Sequence, residues 1–234
     1  MPFIPIPFYL TGAFYPLLFY LGLIVQSGYL LERGIALGRL PLVGVHDTLA
    51  FLAGSLVAFS IPFYSLLKEK KEFKWMLAGL AVIFTLSSAL MPPHTRPLPP
   101  VLRTYWFELH VALSFLSYAL FGIGAMLGIS YIKEARPALE KKQYKTILMG
   151  YLLFSLSMIF GGVWAYLAWG TYWLWTPKEL WTAILWLYFT FYLHVRFSSF
   201  WYGRRAAIAG SAGFLVVMFT YLGVSLLMKS SHAF

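Results

Sequence analysis

The sequence has no cysteine, and only 11% of its 234 residues are charged. Without cysteine the chain has no disulfide, no thiolate metal ligand and no CxxCH motif. Soluble domains carry about 25% charged residues, so this chain has too few charges to cover a water-facing surface. These two shortages exclude a soluble globular enzyme, a disordered chain and a disulfide-rich secreted scaffold.

Apolar residues are abundant instead: 60% of the chain is hydrophobic, 20% is aromatic, and the mean hydropathy is +0.73. A membrane-spanning helix needs about 20 mostly apolar residues, and the apolar runs here are continuous rather than alternating. We therefore predict an all-α, polytopic transmembrane helix bundle that forms a single integral membrane domain over residues 1–234. The seven predicted spans lie at about 9–31, 47–67, 74–91, 109–132, 146–168, 180–197 and 206–228.

The net charge of +10 is unevenly distributed over the predicted loops. Twelve of the 18 Lys and Arg residues fall in alternate connections, at 68–74, 133–145 and 196–205. Basic loops stay on the cytoplasmic side, so we expect a cytoplasmic N-terminus, an outer C-terminus and a plasma (inner) membrane location. The N-terminus lacks a basic region and a cleavage site, so we expect the first span to be retained. The basic charge is therefore explained without nucleic acid.

This topology places four of the five histidines on the outer side of the membrane. His46, His94, His110 and His232 fall at outer span ends or in an outer loop, and His194 falls near the inner end of the sixth span. A lone helix-end histidine usually bonds to the backbone, and an ionisable residue within a span is a candidate functional residue. Asp47 is interpreted as the N-cap of the second span, with tuning of His46 as the alternative.

Six of the nine tryptophans fall between residues 164 and 186. An interfacial aromatic belt is one interpretation, but a belt is spread over all helix ends, whereas this cluster occupies one outer connection between spans five and six. A flat aromatic platform suits a large planar apolar ligand with a polar rim. The six tryptophans are Trp164, Trp169, Trp173, Trp175, Trp181 and Trp186.

The cluster runs directly into a predicted helix start. Thr176 is followed by Pro177 and, two residues later, by Glu179. Thr at the N-cap, Pro at the first helical position and Glu at the third form a capping box. We therefore predict that the tryptophan cluster runs directly into the sixth helix, with Thr176 as the N-cap and Pro177 in the first turn.

The stretch from Trp169 to Trp181, within the tryptophan segment (residues 161–181), resembles the WWD signature WGxYWxWDPKExW of the CcsA/ResC family. Tyr192-Leu193-His194-Val195-Arg196 is similar to the family's YLHxR, and residues 106–111 are similar to its WxxxHV opening. Residues 223–227, followed by His232, resemble its C-terminal histidine segment in spacing. The resemblance covers residues 90–234 well and the first two spans weakly.

The resemblance implies a subunit of system II cytochrome c biogenesis. Such a subunit brings haem b, bound non-covalently, to the outer face and presents it to the CxxCH of apocytochrome c, together with a CcsB/ResB partner. By motif, His110 and His232 match the two outer axial ligands of haem iron, and His194 matches a ligand within the membrane. The residues that match the haem-holding platform are Trp164, Trp169, Trp173, Trp175 and Trp181.

The resemblance leaves the enzymatic role and any catalytic residue open. Thr176 stands where the family carries Asp, so a haem-binding protein of transport, electron transfer or regulation without synthase activity is the alternative. A transporter without haem ranks last, since paired carboxylates within spans are missing from the sequence. His194 has no evident mate in the chain. Arg96, Arg103 and Lys178 are equally possible partners for haem propionates.

Overall fold

The computed structural model describes residues 2–95 and 97–227, which contain helices and no strand. The all-α prediction is therefore confirmed for the described residues. The chain divides into two compact units, residues 1–97 and 98–234. The single membrane domain proposed from the sequence stays a prediction.

The first unit consists of five α-helices, and buried polar contacts connect three of them. The Tyr9 hydroxyl donates to the Gln26 side-chain oxygen, and the Gln26 amide donates to the Ala50 carbonyl at 2.6 Å. All backbone groups of an α-helix interior are already paired, so these side chains link helices rather than complete them. The helices are α1 (Pro5–Gly12), α2 (Leu17–Leu37), α3 (Val45–Phe59), α4 (Tyr64–Glu69) and α5 (Lys71–Leu90).

Helices α3 and α4 are joined by a short 3₁₀ turn, Ile61–Phe63, and the chain bends by 41° there. Pro62 lies in this turn. Proline has no backbone N–H and cannot continue the helical ladder, which explains the break. The second predicted span, 47–67, is therefore two helices with a bend.

The second unit is arranged around α6, whose residues from Ser114 to Gly128 are almost all buried. Helix α6 packs most extensively against α7 and then against α9. Phe121 on α6 stacks on Phe189 of α8 with 3.8 Å between ring centroids. The helices of this unit are α6 (Tyr105–Glu134), α7 (Pro137–Trp169), α8 (Pro177–Val195), α9 (Arg204–Met218) and α10 (Val224–Leu227).

A π-helical turn, Phe219–Gly223, separates α9 from α10. Its first ring, Phe219, meets Trp181 of α8 at 4.5 Å between centroids. A second ring of the turn, Tyr221, meets Phe115 of α6 at 4.8 Å. The turn therefore directs aromatic side chains to two neighbouring helices.

Within residues 2–95 and 97–227, four helices are long and apolar enough to cross a membrane, and the bent α3–α4 pair could provide a fifth. Helices overlap all seven predicted spans, but the count of seven is not confirmed. Helix α2 contains Gln26, Glu32 and Arg33, and α8 starts with Lys178 and Glu179, so polar residues lower the hydropathy of both. The four spans are Lys71–Leu90, Tyr105–Glu134, Pro137–Trp169 and Arg204–Gly223.

Candidate functional site

His110 lies in the second turn of α6 and reaches across to α7. The N-cap of α6 is Thr104, whose hydroxyl accepts the Phe107 N–H at 3.2 Å. The His110 Nδ1 atom lies 2.8 Å from the Ser157 carbonyl oxygen. A carbonyl only accepts, so Nδ1 carries the proton, and in the neutral ring Nε2 keeps its lone pair. No hydrogen bond to Nε2 is formed within residues 2–95 and 97–227.

One face of α7 holds the His110 ring. A Cβ atom on Gly161 would lie 2.6 Å from His110 Nδ1, so only glycine leaves room for the imidazole. The Trp164 ring lies nearly parallel to the imidazole, at 13° and 6.5 Å between centroids. Ser157, Gly161 and Trp164 follow the spacing i, i+4, i+7, which places them along one helix face. We call His110, Ser114, Ser157, Gly161 and Trp164 the His110 site.

Ser114, Ser157 and Gly161 are not among the site residues predicted from the sequence. The spacing of Ser157 and Gly161 ahead of Trp164 is a signal that was available, but small residues at helical spacing are equally typical of plain helix packing. The identity of the facing histidine, 47 positions away, depends on the fold.

Trp164 is buried, with 3% of its surface exposed, and its indole N–H donates to the Val101 carbonyl at 2.8 Å. It meets Trp169 edge to face, with 4.8 Å between centroids and 68° between planes. Trp173 and Trp175 also meet edge to face, at 78°. These crossed rings do not form one plane, and the predicted flat platform is not confirmed.

The tryptophan segment ends in a tightly bonded turn. The Thr176 hydroxyl accepts the Glu179 N–H at 3.3 Å, and the Glu179 carboxylate accepts the N–H groups of Thr176 and Leu174 at 2.9 and 3.0 Å. Helix α8 starts at Pro177. The predicted capping box is confirmed. Thr176 therefore caps α8 at the position where the family carries Asp.

Trp175, directly before the cap, has a left-handed backbone with φ of 58° and is 74% exposed. A non-glycine residue in this conformation costs about 1–3 kcal/mol and often marks a functional site. The turn therefore presents the Trp175 ring outward at a conformational cost.

His194 lies near the end of α8 and is exposed on the surface of its unit. Its Nδ1 donates to the Thr190 carbonyl of the same helix at 2.8 Å, so the neutral ring leaves Nε2 as an acceptor. This bond lies within α8 and does not link His194 to a neighbouring helix. Two residues on, Arg196 forms a buried ion pair with Glu140 and lies over the Tyr144 ring at 4.3 Å.

The cations proposed as partners of the haem propionates differ in their surroundings. Arg103 is exposed and donates to the Leu98 carbonyl at 2.9 Å. Lys178 is half-buried before the predicted sixth span, and burial lowers the pKa of its ammonium group. Arg96 and His232 lie outside the described residues, so the pairing of His232 with His110 stays a prediction.

The first unit contains a buried histidine, His46. His46 Nδ1 donates to the Ser88 carbonyl at 2.7 Å, and His46 Nε2 accepts the Tyr29 hydroxyl at 2.6 Å. Asp47 is fully buried and pairs with Arg33 at 2.6 and 3.0 Å. We call Tyr29, Arg33, His46, Asp47 and Ser88 the His46 cluster.

The predicted N-cap role of Asp47 is wrong. Gly44 occupies the N-cap of α3, and Asp47 lies in the first turn. The carboxylate is used by the Arg33 guanidinium, because a buried charge needs a charged partner more than a helix end needs a cap. The Arg33 side chain also donates to the His94 carbonyl at 3.4 Å, which ties α2 to the loop after α5.

No cluster of three or more His, Asp or Glu side chains that could hold a metal ion is found among the described residues. Any iron bound by these residues would therefore depend on single histidines and the atoms of its own macrocycle.

The chain is similar to proteins of a known family. The family described as "Cytochrome C assembly protein" matches residues 42–232 of the chain. A protein named cytochrome c biogenesis protein CcsA from Prochlorococcus marinus (strain MIT 9301) is 32% identical over 249 residues, covering 88% of this chain and 79% of that protein.

Two further relatives carry the same name. The one from Chlamydomonas reinhardtii is 32% identical over 224 residues and covers 88% of this chain, which spans 64% of that relative's length. The one from Guillardia theta is 31% identical over 242 residues, with 86% of this chain and 79% of that protein covered.

Proposed function

Because the chain belongs to the cytochrome c assembly protein family, with a role in cytochrome c biogenesis, we propose that it binds haem b non-covalently and presents it at the outer membrane face. The observation that carries this proposal is the bond from His110 Nδ1 to the Ser157 carbonyl, which leaves Nε2 available. A neutral imidazole oriented in this way is a common ligand of haem iron. Aromatic rings beside it supply an apolar floor for the macrocycle.

We propose that three groups of residues hold the haem. His110 and His232 would bind haem iron at the outer face, and His194 would bind haem iron within the membrane. The tryptophans proposed to border the haem are Trp164, Trp169, Trp173, Trp175 and Trp181.

The reaction requires positioning of haem and thiols more than it requires acid–base groups. When bound, haem supplies vinyl groups to which the two thiols of the client's CxxCH add as thioethers. The chain would bind and orient haem and exclude water, and we assign no catalytic residue to it. With no cysteine of its own, the chain leaves the thiols to the client.

The proposal includes a CcsB/ResB-type partner subunit and apocytochrome c. His194 supports the first, because it shares an exposed face of α8 with Leu187 and Phe191, spaced i, i+4, i+7. A second ligand for His194 would come from a helix seated on that face. We keep the proposed topology, with the N-terminus cytoplasmic and the tryptophan segment and C-terminus outside, in the plasma membrane and in contact with its lipid.

The alternative is a haem-binding protein without synthase activity. Its support was Thr176 in place of Asp, and the intact capping box removes the part of that argument that concerns helix capping. Co-expression with the partner and an apocytochrome separates the two readings, because only a synthase subunit yields covalent cytochrome c.

A pyridine haemochrome assay on the purified chain, alone and with the partner subunit, tests haem binding. We expect a b-type spectrum that His110→Ala weakens and His46→Ala leaves in place, since both nitrogens of His46 are already bonded. A haem-free result in both preparations, or full haem content in His110→Ala, would contradict the proposal.

A further inference from the structure

We propose that Ser157, together with Ser114 and Gly161, is a positioning residue that sets the strength of His110 as a haem ligand. This inference rests on the proposed function and concerns the atoms behind the ligand. It starts from a set of hydrogen bonds beneath the His110 ring that joins α6 to α7.

Two buried hydroxyls and one carbonyl form a closed triangle. The Ser114 and Ser157 hydroxyl oxygens are 2.6 Å apart, and each lies 2.8 Å from the His110 carbonyl oxygen. Ser157 is fully buried, and 7% of Ser114 is exposed. An interhelical link of this kind within an apolar bundle has no water to replace it.

The two hydroxyls supply two hydrogens to these three O···O contacts, so one contact has no hydrogen. The Ser157 hydroxyl also lies 3.2 Å from His110 Nδ1, whose proton points to the Ser157 carbonyl. A hydroxyl has one hydrogen and two lone pairs. Whichever two contacts carry the hydrogens, Ser157 keeps a lone pair with which its hydroxyl accepts from His110 Nδ1–H beside the Ser157 carbonyl.

These contacts fix the imidazole at Nδ1, while Nε2 is the proposed ligand of iron. Acceptors on Nδ1–H raise the basicity of the ligating nitrogen and hold its direction. Gly161 contributes space, because a Cβ there would meet Nδ1 at 2.6 Å and Cε1 at 2.8 Å. The Ser157 carbonyl and hydroxyl thus hold the ring at Nδ1. The ring fits there because Gly161 has no side chain.

The test uses the full chain reconstituted with haemin in detergent, and follows haem transfer to an excess of a haem-scavenging apoprotein. We expect Ser157→Ala to release haem about 10-fold faster, and Gly161→Ala about 100-fold faster, the range seen for residues behind metal ligands. Ser157→Ala should also raise the haem reduction potential, because a less basic imidazole stabilises ferric iron less. A merely structural role would lower thermal stability without moving the potential.

Matched controls are available on the same helices. Ser130→Ala removes a buried α6 hydroxyl that bonds only to its own helix, and Gly162→Ala adds a Cβ at an ordinary 3.7 Å from the Tyr172 carbonyl. Both should release haem at the wild-type rate. The double variant of Ser114 and Ser157 to Ala should fall short of the sum of the single effects, since the two hydroxyls share one network.

The outcomes separate this inference from the proposed function. Loss of haem in His110→Ala, with wild-type release and potential in folded Ser157→Ala and Gly161→Ala, overturns the positioning role alone. Retention of haem in His110→Ala overturns the proposed function itself.

Discussion

His46 and His110 differ in what their second nitrogen does. His46 and His110 both direct Nδ1 to a backbone carbonyl, at 2.7 and 2.8 Å. In the His46 cluster, Nε2 accepts the Tyr29 hydroxyl. In the His110 site, Nε2 makes no hydrogen bond to any described residue, and the ring lies on Gly161 beside Trp164.

This difference separates a structural histidine from a candidate ligand. A backbone carbonyl partner on Nδ1 is common to both histidines and does not distinguish them. The His46 cluster also contains the Arg33–Asp47 ion pair, so its polar groups are satisfied by one another. The His110 site leaves one nitrogen for a group from outside the chain.

The largest effect on stability is expected at Asp47. Asp47→Ala would leave the Arg33 charge buried without its partner, which destabilises a protein by about 3–5 kcal/mol. Thermal unfolding of the purified protein in mild detergent would measure the loss. The double variant Arg33→Met and Asp47→Leu removes both charges and should recover most of it. Equal stability of Asp47→Ala and wild type would show that the ion pair does not hold the first unit together.

A smaller effect is expected at His46. His46→Leu leaves the Ser88 carbonyl and the Tyr29 hydroxyl without this partner, at about 1–3 kcal/mol for a buried unsatisfied group. Haem content should stay at the wild-type level, in contrast to His110→Ala. If His46→Leu lost haem while it stayed folded, the distinction drawn from the second nitrogen would be wrong.

The smallest effect concerns the cap of α8 in the second unit. Thr176→Ala should cost about 1 kcal/mol, and Thr176→Asp should match wild type, because both Thr and Asp cap well. Thermal unfolding measures both variants, and covalent cytochrome c yield with the partner reports on function. A higher yield in Thr176→Asp would mean that the family's Asp does more than cap.

Local signals carried the sequence predictions that are confirmed. The helices follow from long apolar runs, and the start of α8 follows from Thr176, Pro177 and Glu179, which lie within four residues. Asp47 carried a similar local signal and misled, because its partner Arg33 lies 14 positions earlier in another helix. A carboxylate near a helix start looks the same whether it caps or pairs.

The remaining features depend on distant contacts. His46 meets Ser88 across 42 positions, and His110 meets Ser157 across 47. The ring angles among Trp164, Trp169, Trp173 and Trp175 depend on how a turn with a left-handed residue folds. A sequence pattern predicted tryptophan density there but not the angle between any two planes.

The π-helical turn Phe219–Gly223 changes the helical periodicity between α9 and α10. Each α-helical residue advances the side-chain direction by about 100°, while a π turn closes its bonds five residues apart and so holds one residue more. A helical wheel drawn without a break from Arg204 therefore places Val224 about 100° away from its actual direction. The phase has to be counted anew from Val224, and deleting one residue of the turn would shift the phase of Val224 by about 100°.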